Sequence, residues 1–348
     1  MAHLEDLAIP KGSMILVTGA SGLLGSNIVD KFLESGYKVR GTTRHPEKLA
    51  WLSDVFNSKH GEGSFELLSI PDMTAEGAFD TAAKGVAVVI HTASIMTLDP
   101  DPNKVVPGVI AGAVNALKSA YREPSVKRYV FCSSSSAVVV TSHDERSHRL
   151  ITKDTWNEES VRGAWADPPY GVERSLDVYA ASKTQSEQAV WRFHDENRGS
   201  RLDLVVNTVL PNMNFGKSLA PERKWYPSSS GLPQALWQGE VLDVHRAMPA
   251  QYYVNAQDVG YLHVAAAILP EVKDERIFGF AGRFNWDMIL EIMRKHAPDR
   301  NLPGNFDGGE DPNEIAGRPR AEELLRQLGR PGWISLEDTI LMNVGLLD

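Results

Sequence analysis

The chain has 348 residues, 42% of them hydrophobic and 23% charged, with a formal net charge of −9. Such a chain can bury a sizeable core, which excludes disordered, collagen-like and small disulfide-stapled classes. The acidic balance, with no basic run longer than a pair, argues against a nucleic-acid or anionic-membrane surface. A single cysteine, Cys132, leaves neither a disulfide nor a cysteine-rich metal site.

The amino terminus, MAHLEDLAIPKGSMILVTGA, carries acidic residues where a signal peptide needs basic ones. No stretch reaches the roughly 20 apolar residues of a membrane span. A cytoplasmic location is therefore expected.

In chain order, short apolar runs alternate with segments of helical period, the pattern of a parallel sheet flanked by helices. Strands are expected at Met14–Thr18, Tyr37–Thr42, Phe65–Ser69, Val86–Ile90, Arg128–Cys132 and Leu204–Val209. Helices are expected at Leu23–Ser35, Asn103–Arg122 and Tyr179–Asn197. Beyond Pro211 prolines, glycines and tryptophans cluster, a texture suited to shaping a pocket. A sheet-domain segment is expected to return at Tyr252–Leu269, with Asp258 capping the helix VGYLHVAAAIL. The stretch AEELLRQLGRPGW reads as a last helix ending at Gly329. Because single cores stop growing near about 250 residues, a division is expected. The reading is an α/β, Rossmann-like, doubly wound parallel sheet over residues 1–210, rejoined near 252–270, with a smaller loop-rich substrate lobe over most of 211–348.

The first chemical signal is MILVTGASGLLGSNIVDKFLESG, a buried strand, glycines at Gly19, Gly22 and Gly25, then an amphipathic helix. The glycines suit a tight turn, close backbone approach to a pyrophosphate, and a helix started hard against the strand. The helix start then offers free N–H groups and a partial positive charge to phosphates. At the end of the second strand Arg40 and Arg44, with Lys48 a turn further, stand where a site for NAD would carry an acid for the ribose hydroxyls. Guanidinium groups match a 2′-phosphate, so NADP(H) is the expected cofactor. Asp72, beyond the third strand, is placed either to meet the adenine amino group or to cap a helix.

The catalytic signal is Tyr179 and Lys183 in DVYAASKTQSEQAV. Four residues apart on a helix, they share one face. A phenol is a poor acid at neutral pH, and an adjacent fixed ammonium stabilises its anion. With nine tyrosines in the chain, chance alone supplies about 0.4 such pairs, so the weight comes from position: the pair follows the fifth strand, on the side where open parallel sheets bind ligands. That strand ends in the hydroxyls Ser133, Ser134, Ser135 and Ser136. One of them can donate to a substrate carbonyl oxygen. Alternation sets Ser134 and Ser136 opposite Ser133 and Ser135; Ser134 is favoured, and others satisfy backbone groups.

TGASGLLG, the strand-end serines and YAASK together resemble the extended short-chain dehydrogenase/reductases, in the branch holding dihydroflavonol 4-reductase, cinnamoyl-CoA reductase and the yeast NADPH-dependent carbonyl reductases. The likeness runs over nearly the whole chain, although Leu98–Asn103 and Trp225–Trp237 depart from it. It implies a triad of Ser134, Tyr179 and Lys183. It places the cofactor against Gly19, Ser21, Gly22, Leu23, Leu24 and Gly25. Arg44 and Lys48 take the 2′-phosphate, Asp72 and Met73 sit near adenine, and Thr92, Ala93, Ser94, Pro211 and Ser230 complete the contacts. Ser133, Trp225, Tyr226, Met248, Gln251 and Tyr252 are expected to line the substrate pocket, an apolar and aromatic wall suited to an aryl ketone or keto ester.

The implied activity is hydride transfer to the carbonyl of a ketone, keto ester or aldehyde. Small-molecule carbonyl compounds are the expected partners, with monomer and homodimer both open. An epimerase or dehydratase of the same fold is the alternative, but a dehydratase calls for an acidic pair after the strand-end serine, where Ser135, Ser136 and Ala137 stand. A non-catalytic NADP-binding regulator is a third reading, and it does not need the tyrosine and lysine that this chain keeps. His91 is expected to pack. His143 and His148 lack neighbours that complete a metal site, and no metal is expected. No nucleophile elbow of a serine hydrolase is present.

Overall fold

The structure, a computed structural model, describes residues 6–141 and 148–347. Its strands are β1 (Met14–Thr18), β2 (Lys38–Thr43), β3 (Phe65–Ser69), β4 (Val88–His91), β5 (Arg128–Cys132), β6 (Leu150–Ile151), β7 (Val205–Pro211), β8 (Met213–Phe215), β9 (Gln251–Asn255), β10 (Arg276–Gly279), β11 (Gly282–Phe284) and β12 (Glu314–Ile315). The helices are α1 (Leu23–Glu34), α2 (Ala50–His60), α3 (Asp80–Ala83), α4 (Pro102–Arg122), α5 (Glu158–Ala164), α6 (Ser175–Asn197), α7 (Gly231–Trp237), α8 (Asp243–Ala247), α9 (Ala256–Ile268), α10 (Trp286–His296), α11 (Arg318–Gln327) and α12 (Leu336–Val344).

Seven strands form one parallel sheet in the order β3-β2-β1-β4-β5-β7-β10. Strands such as VVIH and RYVFC are buried along their whole length, as a sheet covered on both faces requires. One face packs against α1, α9 and α11 through Ile28, Phe32, Leu262 and Leu324. The other packs against α4 and α6 through Ala116, Leu117 and Val190. Gly260 allows α9 to lie close on α1, since a Cβ there would stand 2.8 Å from Lys31 Cγ and 3.0 Å from Asn27 O. The chain reverses its winding between β1 and β4, which opens a crevice at their carboxyl ends.

The six expected strands all belong to this sheet. The returning segment differs from expectation. Gln251–Asn255 joins a separate sheet ordered β11-β9-β8, only the helix that follows covers the main sheet, and the seventh strand is Arg276–Gly279. Asp258 does not cap α9. The cap is Asn255, whose Oδ1 accepts from the Gln257 N–H at 2.8 Å, whereas Asp258 is buried inside the helix and accepts from the Ile334 N–H at 2.8 Å. Helix α6 starts at Ser175, four residues before Tyr179. The helix of AEELLRQLGRPGW does stop as expected, with Gly329 left-handed at φ 80°. Among the described residues no helix is long and apolar enough to cross a membrane.

Candidate active site

The turn after β1 is built by contacts that only glycine permits. Gly19 has φ +66°, and a Cβ on it would lie 3.0 Å from the Ala93 backbone. A Cβ on Gly25 would meet Gly19 O at 2.1 Å, so α1 can start against the strand only without one. Gly22 differs, because its Cβ would meet nothing nearer than 3.5 Å. Thr18 fastens this turn to the end of β4: its Oγ1 accepts from the N–H groups of Thr92 and Ala93 at 3.0 and 3.1 Å and lies 3.0 Å from His91 Nδ1. Thr92 Oγ1 returns a hydrogen bond to Thr18 O. His91 packs as expected, against Phe131 and Phe79, and burial, with the Lys183 charge adding, holds it neutral by pushing it down to about 3.

Two cavities open on this turn and share Gly19, Gly22, Thr92, Ser94 and Met96, so they are two ends of one crevice. The larger, about 780 Å³, is lined by Ser21, Arg44, Lys48, Asp72, Met73 and Ala93 besides the shared residues. Arg44 and Lys48 are exposed, with no carboxylate in ion-pair range among the described residues. Asp72 Oδ1 accepts from both the N–H and the hydroxyl of Thr74, which keeps its carboxyl below the usual range and braces the loop. Arg40 is not part of this end. It points along the sheet instead, binding Glu66 at 2.5 Å and donating to the carbonyls of Ala82 and Lys84 at 2.8 and 2.9 Å. Arg40 lies inside β2, whereas Arg44 follows the strand's last residue, Thr43, and the sequence spacing alone did not distinguish the two.

The smaller end, about 320 Å³, gathers Leu23, Leu24, Gly25, Cys132, the four serines, Tyr179, Lys183, Pro211 and Gln251. Tyr179 is half-buried and Lys183 is 6% exposed, with no hydrogen-bond partner for its ammonium among the described residues. Lys183 is the only charged side chain among the described residues lining this end. Burial pushes the Cys132 thiol up to about 11, so it stays an inert thiol. Because β5 ends at Cys132 and a 3-10 turn follows at Ser135–Ala137, strand alternation stops and all four serines reach the cavity wall. Their hydroxyls differ. Ser133 Oγ donates to buried Glu187 at 2.6 Å. Ser134 Oγ accepts from the Ser136 N–H and donates to the Ser136 hydroxyl, both at 3.2 Å.

Several expected contacts lie elsewhere. Tyr252 is buried, stacked edge-on against Phe280, and donates to Asn313 O at 3.0 Å. Met248 packs in the core around α10 and α12. Trp225 meets Trp51 edge to face at 5.5 Å, and Tyr226, like it, lines neither cavity. Ser230 is fully buried and donates to Pro227 O, while its neighbours Ser228 and Ser229 line the crevice. Asn212, Met213 and Asn214, which directly follow Pro211, also line it and were not singled out from sequence. Their place beside that proline was the available signal. His143 lies outside the described residues, and His148 Nε2 stands 3.6 Å from Glu314.

These features fit a phosphorylated dinucleotide. Gly22 leaves open space above the helix start, exposed Arg44 and Lys48 stand at one end, and at the other the Ser94 hydroxyl is buried without a partner near the unpaired Lys183 ammonium. The model of the NAD dependent epimerase/dehydratase family matches residues 15–218. The chain belongs to this family. Among members, it is 40% identical to Aldehyde reductase 2 of Sporidiobolus salmonicolor, over 99% of either chain. It is 36% identical to the NAD-dependent epimerase/dehydratase terH of Aspergillus terreus, over 96% of each. The fold matches yeast methylglyoxal/isovaleraldehyde reductase Gre2, solved with NADPH, at a TM-score of 0.79 and 23% identity, covering 96% of this chain and 98% of that one.

Proposed function

We propose that this protein is an NADPH-dependent carbonyl reductase that converts ketones, keto esters or aldehydes to alcohols, with Ser134, Tyr179 and Lys183 as its catalytic residues. The observation that carries the reading is a largely buried lysine whose unpaired ammonium opens on the crevice one helical turn from a half-buried phenol, in an end that also holds the strand-end serines. The name and 40% identity of the Sporidiobolus relative support it. So does the lack of any Asp or Glu among the described residues lining that end, since a dehydratase needs acids there.

Gly19, Gly22 and Gly25 would hold the pyrophosphate, Arg44 and Lys48 the 2′-phosphate, and Ser94 and Lys183 the nicotinamide half. The bound dinucleotide supplies the hydride. Ser134 donates a hydrogen bond to the substrate carbonyl oxygen and steadies the charge that gathers on it. Tyr179 gives that oxygen its proton. Lys183 stabilises the phenolate left behind, which is re-protonated from solvent. Apart from Lys183, the described residues lining the substrate end are uncharged, which suits an uncharged carbonyl compound.

The test is loss of NADPH absorbance with a panel of aryl ketones, keto esters and aldehydes, with Tyr179→Phe run beside the wild type. Turnover by the wild type and a drop of about a hundredfold or more in the variant are expected. Equal, slow oxidation of NADPH by both proteins rejects the reading.

A further inference from the structure

Glu187 is fully buried on α6, one turn beyond Lys183 and two beyond Tyr179. It accepts hydrogen bonds from three separate parts of the sheet: Ser133 Oγ at 2.6 Å, Thr208 Oγ1 at 2.9 Å and Arg276 Nε at 2.8 Å. Arg276 is itself held from outside, donating to the carbonyls of Lys153 and Thr155 at 2.6 and 2.8 Å and lying 3.8 Å from the Trp156 ring centre. The carboxylate thus ties the end of β5, β7 and β10 to the helix that carries the phenol and ammonium. Among the described residues, Ser133–Glu187 is the one side-chain hydrogen bond joining α6 to the strand-end serines.

That link matters because the proposed reaction divides its residues between two elements. Ser134 rides on the turn after β5, whereas Tyr179 and Lys183 ride on α6. Serine and tyrosine must reach one carbonyl oxygen together, and misplacement by a fraction of an ångström is expensive in rate. Resting on the reductase reading, we propose that Glu187 is a positioning residue that works through Ser133: it turns the Ser133 hydroxyl away from substrate and fixes the Ser134 turn relative to Tyr179. Ser133 is then an anchor, not a substrate contact.

Removing Glu187 itself leaves Arg276 buried without its counter-charge and endangers folding, so the deciding variant is Ser133→Ala, with Ser133→Thr as the conservative rescue. With NADPH and a ketone that the wild type reduces, Ser133→Ala is expected to lower kcat about tenfold, with KM and the Kd for NADPH held within about twofold. Ser133→Thr keeps the donor and restores kcat. A raised KM with kcat retained makes Ser133 a substrate contact and overturns the proposal, as does a Ser133→Ala enzyme identical to the wild type. A wild type inert toward the whole carbonyl panel rejects the reductase reading, and the proposal with it.

Discussion

Lys183 stands one turn beyond Tyr179 on α6, only 6% exposed, with no carboxylate in ion-pair range among the described residues. A lysine so largely withdrawn from water, with no counter-charge for its ammonium, is a cost to the fold. The fold carries that cost in a crevice shared with the phenol, where the proposed chemistry uses the charge. Lys183→Met is therefore expected to lower reductase activity by about a hundredfold or more while the melting temperature of the protein alone holds or rises. Melting curves with and without NADPH check this, since the wild type should gain more from the dinucleotide than the variant. A variant that melts well below the wild type would mark the lysine as structural.

Arg40 and Arg44 look alike in the sequence, yet they serve different ends. Arg44 is exposed at the large end of the crevice, whereas Arg40 is committed to Glu66 and two carbonyls. Arg44→Ala is expected to weaken NADPH binding by about ten- to a hundredfold, the worth of a charge-assisted phosphate contact, and to leave NADH binding nearly unchanged. Arg40→Ala should keep the ratio of NADPH to NADH affinity and lose a few degrees of melting temperature. Titration of both variants with both dinucleotides reads the difference, and a selectivity change in Arg40→Ala counts against the assignment.

The three glycines separate in the same way. A methyl on Gly25 collides with Gly19 O at 2.1 Å, backbone against backbone, whereas one on Gly22 meets only an ordinary 3.5 Å contact. Gly25→Ala should destabilise the protein itself. Gly22→Ala should fold and melt like the wild type and fail in NADPH affinity, because the room it fills is the room left for phosphate. Paired melting and binding measurements decide it, and normal NADPH affinity in Gly22→Ala would remove the pyrophosphate from that turn.

What the sequence made legible follows from how local each signal is. Strands buried on both faces read as continuous apolar runs, so β1 and β5 fall on their expected bounds, as does the half-exposed edge strand β3, and α4 begins one residue early, at Pro102, where Asp101 caps it. Tyr179, Lys183 and the serines carry a spacing that survives without coordinates. Strand β10 was missed because RIFG is four residues long and lies at the sheet edge, paired with β7 alone. Asp258 and Ser230 were misread because capping and cavity lining are settled by neighbours distant in sequence, Ile334 in one case and Asn343, which donates to the Ser230 carbonyl, in the other. Trp225 and Tyr252 are aromatic residues near the crevice in sequence, and both are spent on packing, against Trp51 and Phe280.

Asp258 gives a prediction about pH that is independent of catalysis. Burial pushes its carboxyl up from 3.8 to about 7, outweighing the Ile334 N–H and the charges of Arg330 and Lys31, and its Oδ1 has no partner. Between those two values the folded protein holds a proton that the unfolded chain has released, so this group makes stability fall as pH rises from about 4 to about 7, after which it levels off. Asp30 acts in the opposite sense and at lower pH: its own desolvation is overcome by Lys31, Lys59 and His60, which hold it at about 2, so its contribution is complete above 3.8 and lost as pH falls through 2. Asp258→Asn cannot ionise and still offers an oxygen to the Ile334 N–H. Its melting temperature relative to the wild type should therefore improve by several degrees between pH 5 and pH 8, whatever the offset at pH 5. The change in that difference is the readout, because the amide's own fit shifts both points together. If the two proteins keep a constant gap across the range, Asp258 is ionised in the folded state throughout.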